Sequence, residues 1–313
     1  MSNPVGKIFF SVFCLLFSVF CSLAGCRNQE LHKSRQLMLG TFVEVISSEK
    51  EASEIVFKEI KRVEGLLSKY DPASEVARLN RLGRLKVSPE TFYVIKKSKE
   101  FYQSSHGAFD ITVSPLLDLW GFTDRNFSKP SERQIKDVLK LVGSQKIILQ
   151  DKDNVVKFSL SGVKIDLGAI AKGYALDCAV KKLKERGIKS CLIDAGGQIY
   201  ALGDKRGEPW RIAIRNPRGE GFSDLIALKD GVVSTSGDYE QYFLADNRRY
   251  AHIFDPKTGY PADSGVISVT VTAPDGLTAD ALSTAVFVLG REKGLELMKK
   301  YPSAKVKIVE GKD

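Results

Sequence analysis

Gly276-Leu-Thr-Ala-Asp-Ala-Leu-Ser-Thr-Ala-Val-Phe-Val-Leu-Gly290 is the stretch to which the other patterns of this chain can be related. As a helix it places Asp280 and Thr284 one turn apart on the same face. A carboxylate and a hydroxyl in that arrangement offer two hard oxygens to one cation, and Mg²⁺ prefers such ligands. An ordinary amphipathic helix, with Asp280 near its positive end, explains the same residues. The remaining motifs decide between the two interpretations.

The composition is that of a globular protein. The chain has 313 residues, of which 43% are hydrophobic and 27% charged, with no visible internal repeat. Helical patterns dominate the first half, strand patterns the second, and regular βαβ units are few. We therefore predict an α+β fold with a single catalytic domain over residues 37–313.

Hydrophobic periodicity and capping signals predict the individual elements. Helices are predicted at 49–69, 89–105, 131–143 and 169–186, around Asp280, and at 291–300. Strands are predicted at 42–46, 146–150, 155–160, 163–167, 190–194, 210–214, 224–229, 241–245, 250–254, 266–272 and 305–309. A loop containing Ser74 and Asn80 is predicted between the first two helices.

Residues 1–25 resemble a secretory signal peptide. A single charge, Lys7, precedes an apolar run from Ile8 to Leu23 that is short for a membrane span. A signal anchor that stays as a transmembrane helix is the alternative interpretation.

The end of this segment, Leu23-Ala24-Gly25-Cys26, resembles the bacterial lipobox. Cys26 would then be lipidated, with palmitate among its acyl chains, and would anchor the protein to a bacterial membrane. The polar residues 26–36 predict a tether. We expect the catalytic domain on the extracytoplasmic, periplasmic side.

Charge and cysteine content exclude several classes of protein. The formal net charge is +9, but Lys and Arg are interspersed with acidic residues and no nucleic-acid motif is present, so we expect no nucleic-acid partner. A moderate positive charge is compatible with a phosphate-bearing ligand. Cys178 and Cys191 predict two buried thiols rather than a disulfide, and no Cys/His cluster indicates zinc.

Two glycine-containing motifs could bind a ligand. The first, Ser105–Thr112, contains Asp110 after a glycine turn, where an Asp more often serves as a cap. The second, Ile165–Asp177, leads from an apolar stretch through small residues into a helix. Exposed N–H groups at that helix start, together with Lys172, predict an anion site, although neither a P-loop nor a Rossmann fingerprint is present.

Two further motifs lie in the strand-rich half. The stretch Ser234–Tyr239 combines hydroxyls, a glycine and an acid, which a simple turn also explains. The stretch His252–Pro261 places a histidine on a strand before an Asp-Pro turn. His252 is the one histidine near other candidate residues, and its ordinary pKa suits a general base. Ser-His-Asp hydrolysis is a weaker hypothesis because no GxSxG motif appears.

Six motifs in this order resemble the ApbE family, the FAD:protein FMN transferases, over residues 37 to 310. They are Met38-x-Gly-Thr, Gly-Ala-Phe-Asp110, Asp166-x-Gly-x-x-Ala-Lys-Gly-Tyr-Ala-x-Asp177, Thr-Ser-Gly-Asp-Tyr, His252-x-x-Asp-Pro-x-Thr-Gly and Ala-Asp280-x-x-Ser-Thr284. The resemblance implies a mixed-sheet α+β fold, FAD as substrate and Mg²⁺ as cofactor. It also agrees with a lipoprotein.

The resemblance implies an activity and its partners. FMN from FAD would be joined to a threonine hydroxyl of an acceptor protein through a phosphoester bond, with release of AMP. The acceptor would be a subunit of a membrane redox complex similar to Nqr or Rnf. An FAD pyrophosphatase that forms FMN and AMP, and a non-catalytic flavin-binding lipoprotein, are the alternatives.

The resemblance also implies roles for particular residues. Asp280, Thr284 and the Ala169 carbonyl would bind Mg²⁺, and His252 would be the base. FAD contacts would come from Met38, Tyr70, Ala108, Phe109, Asp110, Asp166, Lys172 and His252. For Asp177 and the Thr235–Asp238 stretch, a supporting role near the site and a purely structural role stay open.

Overall fold

The structure is a computed structural model that describes residues 30–311. The predicted signal peptide at 1–25 and the lipidation site Cys26 lie outside these residues. Within the described part of the chain, no helix combines the length and apolar character needed to cross a membrane.

A seven-stranded sheet forms the centre of the fold. Its strands are β1 (His32–Met38), β2 (Thr41–Ser47), β6 (Cys191–Ala195), β7 (Gln198–Leu202), β10 (Gly231–Gly237), β13 (Val266–Ala273) and β14 (Lys305–Glu310), in that spatial order. Every neighbouring pair is antiparallel. The predicted α+β class is confirmed, whereas the expected mixture of strand directions is corrected to an antiparallel sheet.

Three smaller sheets surround the large one. One has three strands, β3 (Arg84–Lys86), β5 (Val155–Phe158) and β4 (Ile147–Gln150); the others are the hairpins β8 (Trp210–Arg215)–β9 (Phe222–Leu228) and β11 (Tyr242–Ala245)–β12 (Arg248–Ala251). The predicted strands that correspond to them are confirmed within two residues at each start.

Seven α-helices are present among the described residues. They are α1 (Glu51–Leu67), α2 (Glu75–Leu82), α3 (Pro89–Ser104), α4 (Ser114–Leu119), α5 (Glu132–Leu139), α6 (Ala171–Glu185) and α7 (Gly276–Met298). The predicted caps are confirmed: the Ser88 side chain accepts from the Thr91 N–H, and Ser131 forms the expected capping box with Gln134. Gly290, with φ 76°, interrupts α7 at the predicted junction of two helices.

Both faces of the large sheet are covered. Successive residues of a strand point to opposite faces, and in β10 Val232 joins the large core beneath α6 and α7 while Val233 joins a second core beneath the β8–β9 hairpin. The helices α6 and α7 therefore lie on one face, and the hairpin on the other.

Three element assignments from the sequence are wrong, and for residues 32–36 and 163–167 the reason is tertiary pairing that local patterns do not show. Residues 32–36 were expected in the tether but pair with β2 as part of β1. Asn80 lies on α2 rather than in a loop. The segment 163–167 is not a strand, because the Asn80 amide bonds both the Ile165 N–H, at 2.8 Å, and the Ile165 carbonyl, at 2.9 Å.

The first turns of α6 and α7 cross at two glycines. A Cβ on Gly173 would lie 2.0 Å from the Gly276 carbonyl oxygen, and one on Gly276 would lie 2.4 Å from the Gly173 carbonyl oxygen. These distances are far below van der Waals contact, so only glycine permits this approach.

We expect Gly173→Ala to lower the free energy of unfolding by about 1–3 kcal/mol, because the added methyl forces the two helices apart. The matched control is Gly65→Ala on α1, where a Cβ meets nothing within 4 Å. That change should raise stability by about 1 kcal/mol through helix propensity. Chemical denaturation measures both, and equal effects at the two positions would contradict the proposed crowding.

Candidate active site

A cleft of about 910 Å³ lies where one end of the large sheet meets the first turns of α6 and α7. Its size is within the range of cofactor sites. The predicted site residues that line it are Tyr70, Ala108, Phe109, Asp110, Asp166, Ala169, Lys172, His252, Asp280 and Thr284. The fold therefore brings together residues that are far apart in the sequence.

Met38 is the predicted site residue that does not line the cleft. It is the last residue of β1, and its side chain is 8% exposed and packs into the large core. The next residues, Leu39 and Gly40, line the cleft in its place. Strand alternation points the Met38 side chain inward, and the predicted contact of Met38 with FAD stays a prediction.

Asp280 and Thr284 lie one turn apart on α7, as the sequence predicts. Asp280 is 5% exposed, and its Oδ2 accepts a hydrogen bond of 3.1 Å from the Gly173 N–H. In a continuous helix that N–H would bond the Ala169 carbonyl. The carbonyl is thus left without a hydrogen-bond partner among the described residues. Three oxygen donors of different kinds therefore line one cleft.

These donors fit a hard divalent cation. Among the described residues no group of three or more His, Cys, Asp or Glu side chains forms a metal cluster. The available set is instead one carboxylate, one hydroxyl and one carbonyl, which suits Mg²⁺ because that ion completes its shell with water and substrate phosphate.

A row of hydroxyls fixes α7 against β10. Ser236 Oγ lies 2.8 Å from Ser283 Oγ and 3.4 Å from Thr284 Oγ1. Ser234 donates to Gln198, whose amide donates in turn to the Gly276 carbonyl at 3.1 Å. The motif expected as a possible turn is thus a central strand that positions the helix.

Lys172 supplies positive charge to this part of the cleft. Burial raises the pKa of Asp280, while the Lys172 ammonium and the Gly173 N–H favour its charged form. Partial removal from water likewise raises the pKa of Glu240, a second cleft carboxylate whose residue is exposed at the cleft surface, and Lys172 opposes that rise. One ammonium therefore influences two carboxylates.

The predicted anion site at the start of α6 is only partly available. The N–H groups of Ile170 and Ala171 donate to the Leu167 carbonyl, at 3.0 and 2.7 Å. The Gly173 N–H is used by Asp280. Attraction for a phosphate at this turn consequently depends on the Lys172 side chain more than on the backbone.

His252 directly follows β12, one residue beyond the strand on which it was predicted. Its Nδ1 lies 3.2 Å from the Gln241 carbonyl oxygen. Because a carbonyl can only accept, Nδ1 carries the proton and Nε2 holds a free lone pair. Burial lowers the pKa of His252 to about 4, and the Lys172 ammonium acts in the same direction. The imidazole is thus neutral near pH 7.

A cluster of aromatic residues supports the His252 segment. Trp120 is fully buried, its indole N–H donates to the Gly259 carbonyl at 3.1 Å, and its ring lies 5.3 Å from that of Tyr250 and 5.9 Å from that of Phe254. These rings flank His252 on both sides in the sequence, so the cluster restricts where the imidazole can lie.

Asp166 is paired with a residue that sequence analysis did not identify. Lys69 Nζ lies 2.9 Å from Asp166 Oδ2, with side chains only 6% and 15% exposed. Burial disfavours the charged form of Lys69, but Asp166 outweighs it and the pKa of Lys69 is raised. Tyr70, 65% exposed, places its ring 5.1 Å from the same ammonium.

Asp110 is engaged by the protein itself. Its carboxylate accepts from the Thr112 N–H and hydroxyl at 2.8 and 2.7 Å, and from the Ser144 hydroxyl at 2.7 Å. Burial raises the pKa of Asp110, and these donors oppose the rise. The capping role considered from the sequence is therefore present, beside buried Phe109 and Ala108.

Several cleft residues were missed. Glu240 follows the recognised Thr235–Tyr239 stretch directly, and Asp194 precedes the Gly196-Gly197 turn of the β6–β7 hairpin. The glycine pair after an apolar strand was a usable turn signal. No local sequence signal marks Lys69 or Glu240, because the role of each depends on a partner far along the chain. The predicted free thiols are confirmed, with Cys191 buried and Cys178 half-buried.

The α+β fold and the cleft that collects the predicted site residues indicate an enzyme. The chain belongs to the ApbE family, whose model matches residues 39–308.

Similar proteins agree with this assignment. The FAD:protein FMN transferase of Haemophilus influenzae is 36% identical over 253 residues, covering 77% of this chain and 73% of the relative. That of Treponema pallidum is 32% identical over 318 residues, covering 92% and 88%. The crystal structure of the ApbE protein from Thermotoga maritima has a TM-score of 0.83 and 40% identity, covering 90% of this chain and 94% of that one. The predicted family is confirmed.

We expect the His252 imidazole to titrate near pH 4 rather than near its usual 6.5. NMR of the histidine ring resonances measures this directly, since the chain has three histidines, and His252→Gln assigns the signal. Because the unfolded chain binds the proton more tightly, stability should fall as pH drops from 6.5 towards 4. The contribution of His252 to this loss of stability should be absent in His252→Gln. A titration near 6.5 would contradict the lowered pKa of the His252 imidazole.

Proposed function

We propose that this chain transfers the FMN moiety of FAD to a threonine hydroxyl of a target protein in the presence of Mg²⁺, releasing AMP. The observation that carries the proposal is one cleft that contains the Asp280 and Thr284 oxygens, the Lys172 ammonium and the neutral His252 imidazole. The activity named for the relatives, FAD:protein FMN transferase, supports it.

The chain's own residues account for the proton and the charge. The acceptor threonine oxygen attacks the phosphorus of the FMN half, the bond from that phosphorus to the AMP oxygen breaks, and AMP leaves. His252 Nε2 takes the threonine proton, because Nδ1 is already occupied by its bond to Gln241. Lys172 stabilises negative charge on the pyrophosphate, and the rigid cleft aligns the reacting groups.

Asp280, Thr284 and the Ala169 carbonyl are the residues that would bind Mg²⁺. When bound there, the ion neutralises pyrophosphate charge and polarises its oxygens. The fit rests on the unpartnered Ala169 carbonyl and on the buried carboxylate beside it.

The remaining cleft residues are proposed to bind FAD. Tyr70 offers an exposed ring on which a flavin or adenine can stack. The Lys69–Asp166 pair, together with Ala108 and Phe109, shapes one wall. Asp110 then acts mainly by fixing that wall, since its carboxylate is engaged internally.

We also propose a membrane location and a class of acceptor. The lipobox-like sequence ending at Cys26 supports a lipid anchor with the catalytic domain on the periplasmic side. A lipid-anchored enzyme meets acceptors at the same surface, which favours a subunit of an Nqr-like or Rnf-like membrane redox complex.

The deciding experiment uses the full chain in detergent with FAD, Mg²⁺ and a soluble acceptor domain of such a subunit. Covalent flavin fluorescence on the acceptor band, with AMP released in equal amount, is expected. An acceptor with its target threonine changed to alanine is the matched control. FMN and AMP without labelled acceptor would indicate an FAD pyrophosphatase, and tight FAD binding without any product would indicate a storage lipoprotein; either outcome contradicts the proposal.

Asp280→Ala should reduce turnover by at least about a hundredfold, because the Mg²⁺ charge at the pyrophosphate contributes several kcal/mol. Rates of flavin attachment at increasing Mg²⁺ measure this. The matched control is Asp204→Ala, which removes a half-buried carboxylate paired with Lys229 outside the cleft and should keep the rate. Full activity of Asp280→Ala at ordinary Mg²⁺ would overturn the metal assignment.

His252→Ala should slow transfer by about 10²- to 10⁴-fold, the usual contribution of a general base, while FAD affinity changes little. Single-turnover kinetics and FAD titration by fluorescence separate the two. If FAD binding collapses instead, His252 is a ligand contact rather than the base.

A further inference from the structure

Asp177 connects α7, which carries Asp280 and Thr284, to α6, which begins two residues after Ala169. It lies on α6, and its Oδ1 accepts from the Gly276 N–H at 2.6 Å while its Oδ2 accepts from the Leu277 N–H at 2.9 Å. These are the first two N–H groups of α7, which no residue within that helix can satisfy. The Asp275 carboxylate accepts a hydrogen bond of 2.8 Å from the next N–H group, that of Thr278.

The connection runs in both directions. Asp280 on α7 accepts from the Gly173 N–H at the start of α6, just as Asp177 on α6 accepts at the start of α7. The glycine crossing between them leaves no space for a Cβ. The relative position of the two helices is therefore fixed at three adjacent points.

Asp177 cannot act through direct contact with a ligand in the cleft. It lines a separate groove of about 680 Å³, together with Tyr93, Tyr174 and Tyr200, and is absent from the lining of the large cleft. Burial raises the pKa of Asp177 to about 7, and the two N–H groups oppose the rise because they favour the carboxylate. Its influence on the cleft has to pass through the backbone of α7.

We propose that Asp177 is a positioning residue that sets the register of α7 against α6, and thereby the spacing of Asp280 and Thr284 from the Ala169 carbonyl. The proposal rests on the proposed function, because it assumes that these oxygens bind a divalent cation. Asp280 follows Gly276 by one helical turn, so a slip at the α7 start moves both of its ligands away from α6 together. Partners that orient metal ligands commonly contribute about 10- to 100-fold in metal affinity.

The test measures cation affinity directly, with Mn²⁺ as an EPR-visible substitute for Mg²⁺. Asp177→Asn preserves the shape but leaves one α7 N–H facing an amide NH₂ group instead of an acceptor. We expect its Mn²⁺ dissociation constant to rise at least about tenfold, with metal-free FAD affinity within about twofold. Higher metal should restore most of the turnover, so the loss appears in the metal dependence rather than in the maximal rate.

Two controls separate positioning from simple helix stability. Ser88→Ala removes the cap of α3, which accepts from Thr91 N–H, and should lower the melting temperature without changing Mn²⁺ affinity. Asp177→Glu keeps the charge with a longer side chain and should give an intermediate constant. If Asp177→Asn does not fold, the Mn²⁺ dissociation constant of Asp177→Glu provides the test.

The outcomes distinguish this proposal from the proposed function. An Asp177→Asn or Asp177→Glu protein that binds Mn²⁺ as tightly as the unchanged chain overturns the positioning role. Equal Mn²⁺ binding by Asp280→Ala and the unchanged chain would instead overturn the metal site itself. A weaker Mn²⁺ site in Asp177→Asn, with the Ser88→Ala site unchanged, supports Asp177 as the residue that sets the ligand spacing.

Discussion

Reciprocal hydrogen bonds join α6 and α7, and the rest of the cleft depends on them. Asp177 on α6 accepts from the first two N–H groups of α7, and Asp280 on α7 accepts from the Gly173 N–H of α6. A buried carboxylate is costly unless hydrogen-bonded, and here the donors come from the opposite helix in each direction. Each helix therefore has part of its N-terminal end satisfied by the other helix. The arrangement couples the fold to the site, since the residues that complete the helices are those that set the donor oxygens.

The cleft has two supports of different chemistry. The side with Asp280 and Thr284, the proposed cation ligands, rests on hydrogen-bonded helix ends and on the hydroxyl row of β10. The side with His252, the proposed base, rests on the aromatic cluster around Trp120, which restrains the segment after β12. Lys172 acts on both sides, because its charge affects Asp280 and His252 alike. The reacting groups are thus brought together by parts of the chain that are stabilised separately.

Local patterns predicted the longer helices because caps and apolar spacing are local, whereas the short helices α2 and α4 were missed. Ser88, Ser131 and Gly290 marked real boundaries. Strands were less predictable: β7 was missed, and segment 163–167 was mistaken for a strand because the Asn80 side chain takes the place of a partner strand.

The site residues divide in the same way, into those that local motifs indicated and those that depend on tertiary contacts. Motif residues such as Asp280, Lys172 and His252 line one cleft, as their order in the chain indicated. Lys69 and Glu240 could not be found, because neither lies in a pattern and each matters only through a residue far along the chain. The internal bonding of Asp110 and the inward orientation of Met38 likewise depend on packing that the sequence does not display.

The order of strands in the large sheet has a consequence for how the chain is made. β2 pairs with β6, so Ser47 and Cys191 become neighbours across a long intervening segment, and such non-local pairings form slowly. During synthesis from the N-terminus, the sheet cannot close until β6 has emerged, and α7 emerges later still. A growing chain therefore gains Asp280 and Thr284 only after every strand of the large sheet except β14 has been made, so the proposed cation ligands are the last part of the cleft to appear.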